Sequence, residues 1–202
     1  MMKQMPNAEL DPVLVPKFDP AAIAAQLPKG KVPPVDSWQP DFSGEMDMRI
    51  ARDGTWHYLG SPIRRHRMVK MFASILRHDE DQRYYLVTPV EKYAIVVEDA
   101  PFQAVAMDVH GQGHDQVLTF RTNVDDEVMA GPEHALRMTI DATTEEPSPY
   151  IHVRGRLEAL ISRAIFYDLV ELAVEELDGD DCQFGVWSAG VFFPLGPPGS
   201  VL

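Results

Sequence analysis

MDMRIARDGTWHYLG, residues 46–60, decides how the rest of the chain is read. Met46, Met48 and Ile50 alternate with Asp47 and Arg49, the period of two that turns one face of a strand toward a core. Asp53-Gly54 is a two-residue turn signal, and Thr55 to Leu59 reads as the returning strand of a hairpin. Outward from it the same grammar recurs. Arg83 to Thr88 and Tyr93 to Glu98 flank a turn at 89–92; Phe102 to Val109, Val117 to Thr122, Val128 to Ala130, Ala135 to Ile140 and Tyr150 to Arg154 are separated by glycine, proline and Asx turns. A last hairpin, Phe184 to Ser188 and Val191 to Leu195, turns at Ala189-Gly190. Short strands with turns this frequent predict curved antiparallel sheets.

Two helices interrupt the strands. Gly60 to Asp79 reads as one, with Ser61 as N-cap, Pro62 in the first turn and Met68, Met71, Phe72, Ile75 and Leu76 on one side. Arg67, Lys70, Ser74 and Arg77 fall on the other side. Arg64 and Arg65 sit in the first turn, where the helix dipole disfavours each cation by about 0.3 to 1 kcal/mol. Leu157 to about Leu177 reads as the second helix, its apolar stripe of Leu157, Leu160, Ile161 and Ala164 giving way to Asp168, Glu171 and Glu175. Either it reaches from a core to a polar interface, or its far half packs on a different sheet. Each helix follows a strand ending in glycine, Leu59-Gly60 and Arg154-Gly155, so strand, glycine, helix and hairpin occur twice. The expectation is an α+β fold of two duplicated small domains, 41–112 and 113–202, each a curved antiparallel sheet with one long helix. Residues 1–40 form a proline-rich arm carrying a short helix at Ala21 to Leu27 and anchored by Trp38 and Phe42.

Composition narrows the functional classes. A formal net charge of -13 over 202 residues leaves no general phosphate-neutralising surface, which argues against duplex nucleic acid. No apolar run approaches the ~20 residues of a membrane span. With no secretory h-region, the cytoplasm is the expected location. Cys182 is the single cysteine, which excludes an internal disulfide and any CxxC site. Gly185 to Gly190, GVWSAG, lacks the glycine at 186 and the following helix of a nucleophile elbow. His110 and His114 flank glycines in a turn, not a metal-binding helix face, and Gly111-Gln112-Gly113 lacks the third glycine of a dinucleotide loop. No catalytic residues, metal site or cofactor are therefore expected, and an enzyme acting on nucleotides or phosphoesters is the weakest of the readings.

What remains is a basic region in an acidic protein. Free N-H groups where the Gly60-Ser61 turn enters the basic helix can hold an anion when arginines stand nearby. The expected ligand-binding set is Arg49, Ser61, Arg64, Arg65, Lys92 and Arg154 for phosphates, with Trp187 to stack a base and Ser188 beside it. Solvated arginines on a helix face and aromatics in a closing hairpin core account for the same residues without any ligand.

Six runs taken together resemble the bacterial domain-of-unknown-function family 1285: MDMRIARDGTW from Met46, YLGSPI from Tyr58, LVTPVEK from Leu86, EDAPF from Glu98, AGPEH from Ala130 and VWSAGVFFPLG from Val186. The likeness spans Trp38 to Gly196 and leaves the arm outside. It implies two repeated domains, the C-terminal one pleckstrin-homology-like, with a cleft between them, a nucleotide-like ligand and a signalling role. Its polar signature positions here include Asp47, Arg49, Lys92, Asn123, Arg154 and Ser188. The leading expectation is a signalling protein that holds an anionic nucleotide-like molecule at its domain interface and acts on a protein partner. The alternative is an interaction or dimerisation module with no small ligand.

Overall fold

The computed structural model describes residues 33–141, 146–178 and 181–196; the arm helix expected at Ala21 to Leu27 lies outside them. The first half contains β1 (Phe42–Ile50), β2 (Trp56–Tyr58), β3 (Ser61–Pro62), α1 (His66–Ser74), β4 (Leu76–His78), β5 (Tyr84–Val87) and β6 (Lys92–Val97). The second contains β7 (Phe102–His110), β8 (Val117–Thr122), β9 (Glu127–Met129), β10 (Leu136–Ile140), β11 (Pro147–Arg154) and β12 (Leu157–Ile161). After these come α2 (Arg163–Glu171), β13 (Val174–Asp178), β14 (Asp181–Ser188) and β15 (Val191–Gly196).

The duplication lies in the sheets. The first sheet has the order β3-β2-β1-β6-β5-β4 and the second β10-β11-β12-β7-β8-β9. Each is a pair of three-stranded antiparallel meanders joined where the first and last strands of the repeat run parallel, β1 with β6 and β7 with β12. The sheets are thus curved and mostly antiparallel, with one parallel seam apiece. The chain changes sheet between Val97 and Phe102, ahead of the division at 112 expected from the glycine turn, because β7 is a central strand of the second sheet. In the second half the strands fall into this sheet and the three-stranded sheet β13-β14-β15, and a pleckstrin-homology-like barrel stays an implication of the resemblance.

Both helices are shorter than their periodicity suggested, and their places in the repeat differ. Ser61 and Pro62 do not begin α1: at Leu59 and Gly60, both with positive φ, the chain turns back and pairs with β2, His57 opposite Pro62. Arg65 is the N-cap and makes no side-chain cap bond. The helix stops at Ser74 because Ile75 and Leu76 are drawn into the sheet, with Leu76 opposite Leu86. The segment 157–177 likewise divides. Leu157, Ala159 and Ile161 are buried on alternate positions as a strand, and the helix runs only from Arg163 to Glu171. The change of side along the stripe marks element boundaries. Within the repeats, α1 follows the third strand whereas α2 follows the sixth. No helix among the described residues is long and apolar enough to cross a membrane.

One hydrophobic cluster runs through both halves, from Met48, Ile50, Trp56 and Phe72 to Phe102, Phe120, Ile151 and Leu169. Burial of such side chains, each contributing about 1.5 to 3 kcal/mol, holds the halves together as one body. A smaller cluster of Tyr85, Val87 and Ala94 lies apart from it and is covered by Trp38; Phe42 is exposed and meets Tyr85 edge-on.

The hairpin β14–β15 has a packing demand visible at Gly185. A Cβ there would stand 2.3 Å from the Phe193 carbonyl oxygen and 2.7 Å from the Phe192 ring. The first obstacle is backbone, so no rotamer change removes it. Gly185→Ala should lower stability by about 1 to 3 kcal/mol, read in urea; an unchanged midpoint would show that the two strands are not held this close.

Candidate functional site

The halves meet along a cleft of about 580 Å³, within the size range of small-molecule sites. The first half supplies residues 76–81, from β4 and the turn after it, with Val35, Asp36 and Gln39; the second supplies residues 154–157, the β11–β12 turn. β4 exists here because alternating Leu76 and His78 pair antiparallel with Leu86 and Tyr84. That pairing lays the His78 imidazole flat on the Tyr84 ring, centroids 4.2 Å apart and planes 8° from parallel. His78 Nδ1 lies 3.3 Å from the Arg156 carbonyl oxygen, so the aromatic stack sits where the halves touch.

Three arginines line this cleft, and they are committed differently. Arg77 is largely buried and fully engaged: it clasps both carboxylate oxygens of Asp79 at 2.6 and 3.1 Å and donates to the carbonyls of Val35 and Trp38 at 2.9 and 2.7 Å. Arg154 bridges the halves, donating 2.6 Å to the Ala73 carbonyl at the end of α1 and 2.8 Å to Asp126, with its guanidinium over the Phe102 ring. Its Nε is buried without a partner. Arg156 is half exposed and held by one loose pair, 3.3 Å to Glu80, a carboxylate 93 % exposed to solvent. Of the three, Arg156 is the most readily recruited by a ligand.

Carboxylates complete the cleft. Burial opposes ionisation of Asp79, but hydrogen bonds from Arg77 and Lys92 outweigh it and hold the pKa below the ordinary value. Asp81 is held low first by the Tyr85 hydroxyl, which donates to it at 2.5 Å. Both are anions at neutral pH and accept N-H and O-H donors. Among the described residues no group of three or more His, Cys, Asp or Glu side chains is placed to hold a metal ion.

The residues singled out from sequence do not form one site. Arg154 lines the cleft. Lys92 stands behind it, bonded 2.6 Å to Asp79 and 3.9 Å above the Tyr85 ring. Arg49, on β1, pairs with Glu98, which follows β6. Ser61 is exposed in β3, and Arg64 and Arg65 are exposed before α1, so the anion-holding turn expected at Gly60-Ser61 does not enter a helix. Trp187 lies in the third sheet, stacked on His114 with centroids 4.1 Å apart, its Nε1 donating 2.9 Å to Glu176. Ser188 is fully buried beside it, bonded only to backbone. The sequence reading missed His78, Asp79, Asp81 and Arg156 as cleft residues. The Arg-Gly-Arg turn at 154–156 was a signal, but residues 77–79 were assigned to a helix.

Comparison with known proteins agrees with the division into halves. Residues 33–100 match the N-terminal domain model of DUF1285, a domain of unknown function, and residues 101–195 match the C-terminal domain model of the same family. A crystal structure of a DUF1285 family protein from Silicibacter pomeroyi DSS-3 is 53% identical, covers 88% of this chain and 94% of its own, and superposes with a TM-score of 0.80. Another, from Shewanella baltica OS155, is 31% identical over 62% of this chain and 91% of its own, with a TM-score of 0.48. No curated protein matches the chain. With both domain models matched in order and a solved relative sharing half its residues, the chain belongs to the DUF1285 family, a family of unknown function with bacterial members.

Proposed function

We propose that the cleft binds a nucleotide-like small molecule and that its occupancy is read by a protein partner as a signal. The observation that carries this is the pairing of a flat His78–Tyr84 stack on the first half with Arg156 on the second, across one cleft. A base stacks on the imidazole face, gaining about 1 to 3 kcal/mol. The carboxylates of Asp79 and Asp81 suit ring N-H and ribose O-H donors, and Arg156 leaves Glu80 for a phosphate. With this many acids in the walls, one phosphate is favoured over three. A ligand touching both halves favours the arrangement that fits it, which is how occupancy becomes a change seen elsewhere.

The test is thermal unfolding of the full chain with AMP, cyclic AMP, cyclic dinucleotides, nicotinamide dinucleotides, ATP and inorganic phosphate. A ligand at ~100 times its dissociation constant adds about 2.7 kcal/mol, a rise of about 5 to 11 °C at ~2 to 4 °C per kcal/mol. A nucleotide monophosphate should raise the midpoint where phosphate does not, and His78→Ala and Arg156→Ala should each remove most of the shift. A flat panel sinks the reading.

A different observation favours an interaction module. Arg64, Arg65 and Arg67 are exposed, and among the described residues none of the three has a carboxylate within ion-pair distance. Three unpaired cations on a protein of net charge -13 suit an acidic partner protein. A complex held this way weakens as salt is raised; one indifferent to salt is held by something else.

A further inference from the structure

A second pocket, of about 370 Å³, opens at the other end of β12, where Leu160 and Ile161 meet the start of α2. Its floor is apolar, made by Leu160, Ile161 and Phe166, and its rim carries Arg52, Arg163 and Tyr167. Arg52 comes from the loop after β1 in the first half, whereas Arg163 and Tyr167 belong to α2. Arg52 is fixed in place by Asp99 at 3.1 Å and by the Ser148 hydroxyl at 3.1 Å. Arg163 donates 2.9 Å to the Tyr167 hydroxyl, and that bond together with the phenol and the Glu146 carboxylate keeps its guanidinium firmly charged.

We propose that this pocket is a second binding site, separate from the cleft, for a small organic monoanion with an aromatic body. Two guanidinium groups, one from each half, stand over an apolar floor, so a ligand gains by burying a ring while its anionic group stays at the rim. Among the described residues Glu146 is the one carboxylate lining the pocket, and it opposes a second negative charge. The volume is near the lower end for ligand sites, which excludes a whole dinucleotide and fits an aryl carboxylate or sulfonate. The walls also differ from those of the cleft, where four carboxylates among the described residues compete with any anion.

The probe is anilinonaphthalene sulfonate, titrated by fluorescence into the full chain, with neutral N-phenylnaphthylamine alongside. The expected result is saturable one-site binding of the sulfonate with blue-shifted emission. Arg163→Glu, a change at an exposed side chain, should weaken it at least about tenfold, and Arg163→Lys should restore most of the affinity. The neutral probe should bind more weakly and respond little to either variant. Absence of saturable binding would overturn the proposal, and so would equal affinity of wild type and Arg163→Glu for the sulfonate.

Discussion

Replacing Arg77 by alanine is expected to lower folding stability by about 3 kcal/mol, and the unfolding midpoint by about 6 to 12 °C at this chain length. The side chain is 11% exposed and makes four hydrogen bonds at once, two to Asp79 and two to the carbonyls of Val35 and Trp38. Alanine leaves the Trp38 carbonyl without its donor, the Val35 carbonyl with only the Trp38 N-H at 3.2 Å, and Asp79 with Lys92 alone, so the cost includes desolvation that nothing repays. It also frees residues 33–38, whose Trp38 covers Tyr85, Val87 and Ala94. Arg77→Lys should recover only part, because an ammonium cannot span a carboxylate and two carbonyls in fixed planar directions. A midpoint within about 2 °C of wild type would show that the 33–38 segment is held by its apolar contacts.

The same variant carries a pH signature. Asp79 has a folded pKa lowered from 3.8, burial raising it but the bonds from Arg77 and Lys92 lowering it further. A depressed carboxylate contributes stability that is fully present above its unfolded value and is lost as pH falls through its folded one. Without Arg77 much of the depression goes. The stability gap between wild type and Arg77→Ala should therefore be widest near pH 7 and narrow below about pH 4, leaving the part due to the lost carbonyl bonds. A gap that stays constant between pH 7 and pH 3 would mean that Asp79 contributes little through Arg77.

Strands were legible wherever alternation and turn chemistry agreed, as in Met46 to Tyr58 and Phe184 to Leu195. Helix limits were not, because some residues satisfy both periods. Ile75 and Leu76 continue the stripe of α1 and also begin β4; Leu157, Leu160 and Ile161 fit a helix face, yet burial alternates along β12. Tertiary pairing decides such segments, and pairing is absent from a local window. The cleft was hidden for the same reason. Its walls are residues 76–81 and 154–157, distant in sequence, and the periodicity reads the first as helical up to Asp79, which would point His78 and Asp79 in other directions. Arg154 was legible as a basic residue at a strand end, whereas Arg156, two positions on in the same Arg-Gly-Arg turn, gained its place in the cleft only from the β11–β12 pairing.

Ser188 shows why a polar residue in a sequence signature can belong to the fold. Its hydroxyl accepts from Leu118 N-H at 2.9 Å and donates to the Ala130 carbonyl at 2.7 Å, and all three residues are 0% exposed. Ala130 N-H already bonds to the Leu118 carbonyl at 2.9 Å, so the serine completes a pair that the β8–β9 ladder leaves half made. Beside it, Ala189 N-H donates to the Gln116 carbonyl at 2.9 Å and the Gln116 side chain donates to the Trp187 carbonyl at 2.9 Å, docking the hairpin tip on the second sheet. Ser188→Ala strands one buried N-H and one buried carbonyl, each costing about 1 to 3 kcal/mol. The expected loss is about 3 kcal/mol in urea or thermal unfolding, with faster hydrogen exchange at Leu118. Both hydrogen-bonding directions of the hydroxyl are already used inside the fold, so any nucleotide-induced shift in midpoint should persist in the variant. A Ser188→Ala protein of wild-type stability that no longer responds to the nucleotide would reverse the assignment and move the ligand toward Trp187.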